Sequence, residues 1–364
     1  MPKLFLIAIL LFTLPLNNVS AQNTSQTIRG KIIDSESKKA LKNVEVFVSG
    51  TTIGTTTNKN GEFILHSPEI PCHVGVMHVA YQPKVLTINK SEEVEVELTK
   101  SVKSIGEVKI KGKNKRKQNL RMFKKYFLYY AENSQVKILN DSVLRFRKDE
   151  YDFHTFCTSP LIIENKHLGY QIKVLIKDFH VCKKDKVGGK KISINSFTDN
   201  ALFKLEAFYY YQDMPVSSSI TKTLIKSNRR KHYYGSLRHF LTSLYANNLV
   251  TNGYKLQCIP ESGDKAIILS KTGENIKRYR FQSEKVKVTY CESFDHKPIN
   301  LTSGVTAFTE WPTVFISLEK EFDVHPNGTS SNLSFEVHGA MGQRSLANTL
   351  PSNYIPEKNP AFNF

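Results

Sequence analysis

Alternation with a period of two, in runs too short to be anything but strands, constrains this chain most. Val44, Val46 and Val48 alternate with Glu45 and Phe47 before Ser49-Gly50 turns the chain. Phe63 and Leu65 follow the turn signal Asn58-Lys59-Asn60-Gly61, and Val74, Val76 and His78 run into Tyr81-Gln82-Pro83. Val94, Val96 and Leu98 alternate with Glu95 and Glu97. With residues 28–34 at the start and Thr55-Thr56-Thr57 between, residues 22–99 predict a β-sandwich of about seven strands. The 22 Phe and 16 Tyr, against one Trp, suit pleated and half-buried surfaces.

The same residues carry a resemblance. Ile28-Arg29-Gly30-Lys31-Ile32-Ile33-Asp34, then residues 41–49, Gly50-Thr51-Thr52, Gly54-Thr55, residues 57–63 and residues 78–81 follow in order the pattern of the carboxypeptidase regulatory-like domain. The resemblance implies a transthyretin-like (prealbumin-like) sandwich, common on exported proteins of the Bacteroidetes type. It also implies an accessory module that is not itself a peptidase.

Lys3, the apolar residues 4–16, polar Asn17-Asn18 and small Val19-Ser20-Ala21 read as a secretory signal peptide over residues 1–21. The apolar stretch is short for a bilayer span and contains Pro15, and no cysteine lies at the cleavage point to take a lipid. No later apolar run is long enough to cross as a helix, so the expected mature chain is exported, periplasmic or outer-membrane-associated, and soluble or peripheral. The formal charge of +18 would raise nucleic acid first in a cytosolic protein. Export removes nucleic acid as a partner and leaves envelope anions such as lipid phosphates or acidic glycans, or an envelope protein. Five scattered cysteines without a C-x-x-C make no disulfide framework, so buried thiols are the expectation, with one bridge left open.

Residues 100–118 read as a basic linker. A similar sandwich precedes the plug and barrel of TonB-dependent receptors, but the chain after Gly112 is too short for 22 strands of about ten residues each. Residues 119–364 predict an α+β domain, mainly antiparallel. Leu120, Phe123, Phe127 and Tyr130 form one helical stripe, and Ser236 caps a second helix carrying Leu237, Phe240, Leu241, Leu244 and Tyr245. Strand-like runs cover residues 161–163, 170–179, 201–211, 277–282, 286–290, 314–318 and 333–337. Leu161-Ile162-Ile163-Glu164-Asn165 with Leu168-Gly169-Tyr170, Tyr234-Gly235-Ser236 with His239-Phe240-Leu241, and Gln343-Arg344 through Leu350-Pro351 with Tyr354 resemble the C-terminal region of similar envelope proteins. No activity is established for that region.

Short motifs give no catalytic residue, no cofactor and no metal. His66-Ser67-Pro68-Glu69 matches part of a zinc carboxypeptidase site but sits between two strands of an accessory sandwich. His73 and His78 fall on opposite faces of a strand, and His154 with Cys157 or His180 with Cys182 supply two ligands each without a matching pair. Asn58-Lys59-Asn60-Gly61-Glu62 lacks the carboxylates of a calcium loop and reads as a turn. The basic loop 183–191 lacks the first Gly and the Ser/Thr of a phosphate loop. One segment is a binding candidate: Lys222, Lys226, Arg229, Arg230, Lys231, Arg238 and His239 crowd around Tyr233-Tyr234-Gly235, cations interleaved with aromatics. The sequence therefore predicts a non-enzymatic envelope protein that binds a partner or glycan. A hydrolase site in residues 119–364 and a small outer-membrane β-barrel over the same residues are the rival readings.

Overall fold

The period-two runs pair into sheets in the computed structural model, which describes residues 26–91, 93–101, 113–128, 135–148, 152–183, 201–261, 265–273, 275–292, 301, 309–317, 321–330, 335–342 and 348–356. The expected leader 1–21, residues 102–112 of the linker and residues 184–191 of the basic loop lie outside the described residues. Seven strands build the first unit: β1 Gln26–Asp34, β2 Glu45–Val48, β3 Gly54–Thr56, β4 Glu62–Ser67, β5 Cys72–Met77, β6 Lys84–Ile88 and β7 Glu93–Leu98. They form two sheets, ordered β4-β1-β7 and β3-β2-β5-β6, with β1 and β7 parallel and the other pairs antiparallel. Alternation sends Ile28, Ile32, Val46, Val48, Phe63, Leu65, Val74, Val76, Val96 and Leu98 into the core between them. The Asn58 turn is closed by its own side chain: Oδ1 accepts from the Asn60 and Glu62 backbone N–H groups at 2.8 and 3.0 Å.

Asp34 ends β1 as a local anchor. Its Oδ1 accepts from the Ser37 and Glu36 backbone N–H groups at 2.7 and 3.0 Å, and the Tyr81 hydroxyl donates to Oδ2 at 2.8 Å. The Ser37 N–H first, then the Tyr81 hydroxyl, hold this carboxyl well below the usual carboxylate range.

Helix α1, Lys113–Phe127, buries Met122, Phe123, Tyr126 and Phe127. It begins inside the basic run, so residues 113–118 of the expected linker are helical. Charged good helix formers stay as well solvated on an exposed helical turn as in a tether. The next sheet contains β8 Val136–Ile138, β9 Leu144–Lys148, β10 Asp152–Cys157, β11 Leu161–Asn165, β12 Tyr170–Lys183 and β13 Ala201–Asp213. The long β12 pairs with β11 and then β10 along one edge and with β13 along the other. Its inward residues Ile172, Val174, Ile176, Phe179 and Val181 share a core with α1.

Helices α2, Ser219–Tyr233, and α3, Leu237–Tyr245, follow, and then β14 Tyr254–Ile259, β15 Ile267–Thr272, β16 Lys277–Phe281, β17 Lys285–Glu292, β18 Thr309–Ser317, β19 Glu321–Val324 and β20 Phe335–Gly339. These last strands make two antiparallel sheets, ordered β14-β17-β18-β20 and β15-β16-β19. Phe240, Leu241 and Leu244 of α3 join Val286, Val288, Phe281, Phe315 and Phe322 in a separate core. The described residues of 119–364 thus pack mainly around two hydrophobic cores. Among the described residues their strands fall into separate open sheets with apolar faces turned toward helices or one another, which corrects the small-barrel reading. A barrel needs one closed sheet with its apolar face outward.

The sandwich is docked on β12 and β13. Gly50 N–H donates to the Tyr209 carbonyl at 2.7 Å and Tyr211 N–H to the Thr51 carbonyl at 3.0 Å. Phe47 and Met77, on the outer face of the sandwich, are buried against Leu175. The Phe47 ring stacks on Tyr210 at 4.7 Å, and Lys173 Nζ pairs with the Glu45 carboxylate.

Candidate functional site

The binding segment expected from the sequence lies on α2, α3 and the turn between them. Ser218 caps α2 by accepting from the Thr221 N–H at 3.4 Å. The helix sends Ile225, Asn228 and Tyr233 inward, and Asn228 Nδ2 donates to the His167 carbonyl at 3.0 Å. Arg229 shares that inner face. Its guanidinium lies 3.8 Å from the centre of the Tyr170 ring, Nε donates to the Leu168 carbonyl at 2.8 Å, and Nη2 pairs with Asp213 Oδ1 at 2.7 Å. Burial raises the Tyr170 hydroxyl pKa, with Arg229 pulling against it. Burial, then Lys231, lowers the His167 pKa below its ordinary value.

Tyr234-Gly235-Ser236 turns the chain into α3. Gly235 has φ +67°, and a Cβ there would run into the Tyr290 ring, so both backbone and packing demand glycine. Ser236 Oγ accepts from the His239 N–H at 3.1 Å and caps α3 as expected. His239 is buried among Tyr233, Tyr234, Tyr254 and Tyr290. Because the Gly235 N–H can only donate to His239 Nδ1 (3.2 Å), that nitrogen is the acceptor and the Tyr254 hydroxyl, 2.7 Å away, donates to it as well.

Arg238 grips backbone. Nε donates to the Asn327 carbonyl at 2.9 Å, Nη1 to Pro351 at 2.7 Å, and Nη2 to Ser352 and to Tyr354 at 2.6 Å. Burial lowers its pKa, and the neighbouring tyrosines oppose that shift. The segment it holds also ties down the sandwich: Ser352 N–H donates to the Gly50 carbonyl at 2.7 Å and Thr52 N–H to Asn353 Oδ1 at 3.0 Å. Of the seven candidate residues, Arg229, Tyr233, Arg238 and His239 therefore belong to an internal joint.

Of the other three, Lys231 is exposed and Arg230 and Tyr234 are half-buried. The same helix also carries an exposed apolar pair that the sequence reading did not single out. Ile220 is 81% exposed and Leu224 58% exposed, one turn apart on the outward side of α2, with Lys222 and Lys226 also exposed. No Asp or Glu occurs from residue 214 to residue 260.

The other candidate ligands take separate partners. His66 Nδ1 lies 3.3 Å from Thr27 Oγ1, whereas Glu69 Oε1 accepts from Asn327 Nδ2 at 2.8 Å. His73 contacts Thr87 and Phe208, and His78 contacts Tyr81. His154 and His180 are cross-strand neighbours whose rings stack in parallel at 4.1 Å. His154 Nδ1 is 2.9 Å from Asp178 Oδ1 and His180 Nε2 is 2.7 Å from Asp152 Oδ1. Cys157 instead receives the Ile176 N–H at 3.1 Å, and burial pushes its thiol pKa up. No disulfide joins the described cysteines Cys72, Cys157, Cys258 and Cys291.

A seven-stranded, two-sheet sandwich docked on a mainly antiparallel α+β region defines the class of fold. Residues 28–110 match the CarboxypepD_reg-like domain, and the chain carries that domain at this position. No curated protein matches the chain. Among solved structures, a candidate carbohydrate-binding protein of Bacteroides uniformis aligns at 9% identity and TM-score 0.18, covering 82% of this chain and 98% of its own. A 9R-lipoxygenase of Cyanothece aligns at 11% identity and TM-score 0.19, covering 62% of this chain and 48% of its own. Likeness at those scores carries no information on fold or ligand.

Proposed function

We propose that the chain is an exported cell-envelope protein that holds an anionic envelope component, a glycan or a lipid phosphate, without catalysis. The observation that carries this reading is a cationic stripe on α2, exposed Lys222 and Lys226 with half-buried Arg230 at four-residue spacing and exposed Lys231 beside it, in a stretch that holds no acid. Exposed like charges on a fixed element attract a polyanion over several ångströms and release it as salt shortens the screening length. The CarboxypepD_reg-like sandwich supports a binding rather than a catalytic role, and its docking gives α2 a rigid mount.

Fractionation of the expressing cell tests the reading. The protein is expected in the envelope pellet and in the soluble fraction after a wash at about 1 M salt, where the screening length is roughly 3 Å. Arg230→Glu with Lys231→Glu is expected to move most of it to the soluble fraction before any wash. Recovery from the cytosol would overturn export, and retention until detergent is added would overturn a salt-releasable partner.

A further inference from the structure

We infer that the outward face of α1 is a docking stripe for a linear acidic polysaccharide, a chain that lays a carboxylate per sugar along the helix axis. The inference goes beyond the α2 reading, because it assigns a second cationic surface on another element and the shape of the anion it takes. Lysine and arginine fill nearly half of the 15 positions of α1, and none is acidic. At about 100° per residue, Lys117, Arg121, Lys124 and Lys125 fall within one sector of about 100°. Met122, Phe123, Tyr126 and Phe127 take the opposite sector and are buried. Lys117 and Arg121, one turn apart, are exposed, and Lys124 and Lys125 are half-buried. The fold sets this orientation: besides the buried face, Arg116 Nη1 donates to the Leu144 carbonyl at 3.2 Å and Nη2 to the Asp141 carbonyl at 2.8 Å. On the neighbouring strand β9, Leu144 and Phe146 pack toward α1, and alternation puts exposed Lys148 on the same side.

These charges work against the helix that carries them. Lys117 with Arg121, and Arg121 with Lys125, are like-charge pairs at four-residue spacing. Lys115 and Arg116 lie near the N-terminus, where the macrodipole repels cations. A face that serves solubility alone mixes both signs. A polyanion laid along the stripe turns the repulsion into attraction. Within α1 the sector holds only polar and cationic residues, so it offers a bilayer nothing to insert, and a flat phosphate surface meets it along one line only. From Lys117 to Arg121 to Lys125 the helix rises about 6 Å per step, on the order of one sugar repeat. A polyuronate chain therefore meets a cation at each step, and salt weakens the contact by shortening the screening length.

Titration of the full chain with soluble alginate, with neutral dextran and with vesicles containing phosphatidylglycerol tests this. Alginate is expected to bind and dextran is not, and the vesicles are expected to bind more weakly than alginate. Lys117→Gln with Arg121→Gln is expected to weaken alginate binding about threefold per cation, about tenfold in all, and to flatten its dependence on salt. The same variant is expected to melt at the parent's temperature or slightly above, because two like-charge pairs are gone and glutamine forms helix well. A loss of binding at an unchanged or raised melting temperature is then not a loss of fold. Arg230→Glu with Lys231→Glu, on α2, separates the two surfaces. Alginate binding unchanged in the Lys117/Arg121 variant would overturn the α1 stripe and leave the α2 reading standing. Binding lost in that variant but kept in the Arg230/Lys231 variant would support the stripe and count against α2. Equal binding to dextran would overturn a charge-driven contact, and binding to vesicles without alginate would overturn the polysaccharide as partner. Binding to none of the three would overturn the inference.

Discussion

Arg238 donates to four backbone carbonyls on two separated segments, around Asn327 and along residues 351–354. A charged donor in a buried site gives hydrogen bonds stronger than neutral ones, and its removal strands the carbonyls it satisfied. Arg238→Met is therefore expected to lower unfolding stability by about 3 kcal/mol, read from the denaturant midpoint at constant m. Arg230→Met, on α2 and half-buried, is expected to cost less than about 1 kcal/mol. Equal midpoints for the two variants would refute the distinction between them. Residue types and crowding were legible in the sequence here; side was not. Arg229 and Arg230 are neighbours in sequence but about 100° apart around α2, so one guanidinium stacks on Tyr170 while the other, half-buried, leaves that joint and comes near Tyr234. Only the phase of the helix against its neighbours separates a structural arginine from a surface one.

Elements with a full pattern read correctly from the chain. Ser236 followed by Leu237, Phe240, Leu241 and Leu244 gives both a start signal and an apolar stripe, and α3 lies where that pattern puts it. The strands with strict alternation, such as β4 and β7, are likewise legible. Helix α2 offers only Ile225 and Tyr233 as inward apolar residues, too thin a stripe to announce a helix, and its exposed Ile220 and Leu224 blur the phase further. The cap on α3 bears directly on stability. Ser236→Ala is expected to cost about 1 kcal/mol, and Ser236→Asp to retain most of it, because a carboxylate also accepts from the His239 N–H and suits the helix N-terminus. Thermal melts of the three proteins check the order. An alanine variant as stable as the parent would mean that packing alone holds the first turn.

The segments that carry the second resemblance lie far apart in sequence and meet in space. Leu168-Gly169-Tyr170 receives Arg229, Tyr234-Gly235-Ser236 turns beside Tyr290, and residues 351–354 lie under Arg238. The resemblance is thus carried by a joint, and the joint also reaches the sandwich through Gly50, Thr52 and, from Asn327, Glu69. Separate domains on a short linker move freely unless their interface is large and apolar. Here Phe47, Met77 and Leu175 are buried at the contact, worth on the order of 5 kcal/mol at 1.5–3 kcal/mol per side chain. That is comparable to the stability of a whole domain, so sandwich and α+β region are expected to melt together. Gly54 makes the test. It pairs with Phe47 across β2 and β3, and a Cβ on it would run into the Tyr210 ring and hydroxyl. Gly54→Val adds β-branched bulk that an exposed strand accepts, but it pushes Tyr210 off Phe47. Scanning calorimetry is expected to give one transition for the parent and two for the variant, with the sandwich parting from β12 and β13 before either unfolds. One unsplit transition at the parent's temperature would mean that the Phe47–Tyr210 contact does not couple the two units.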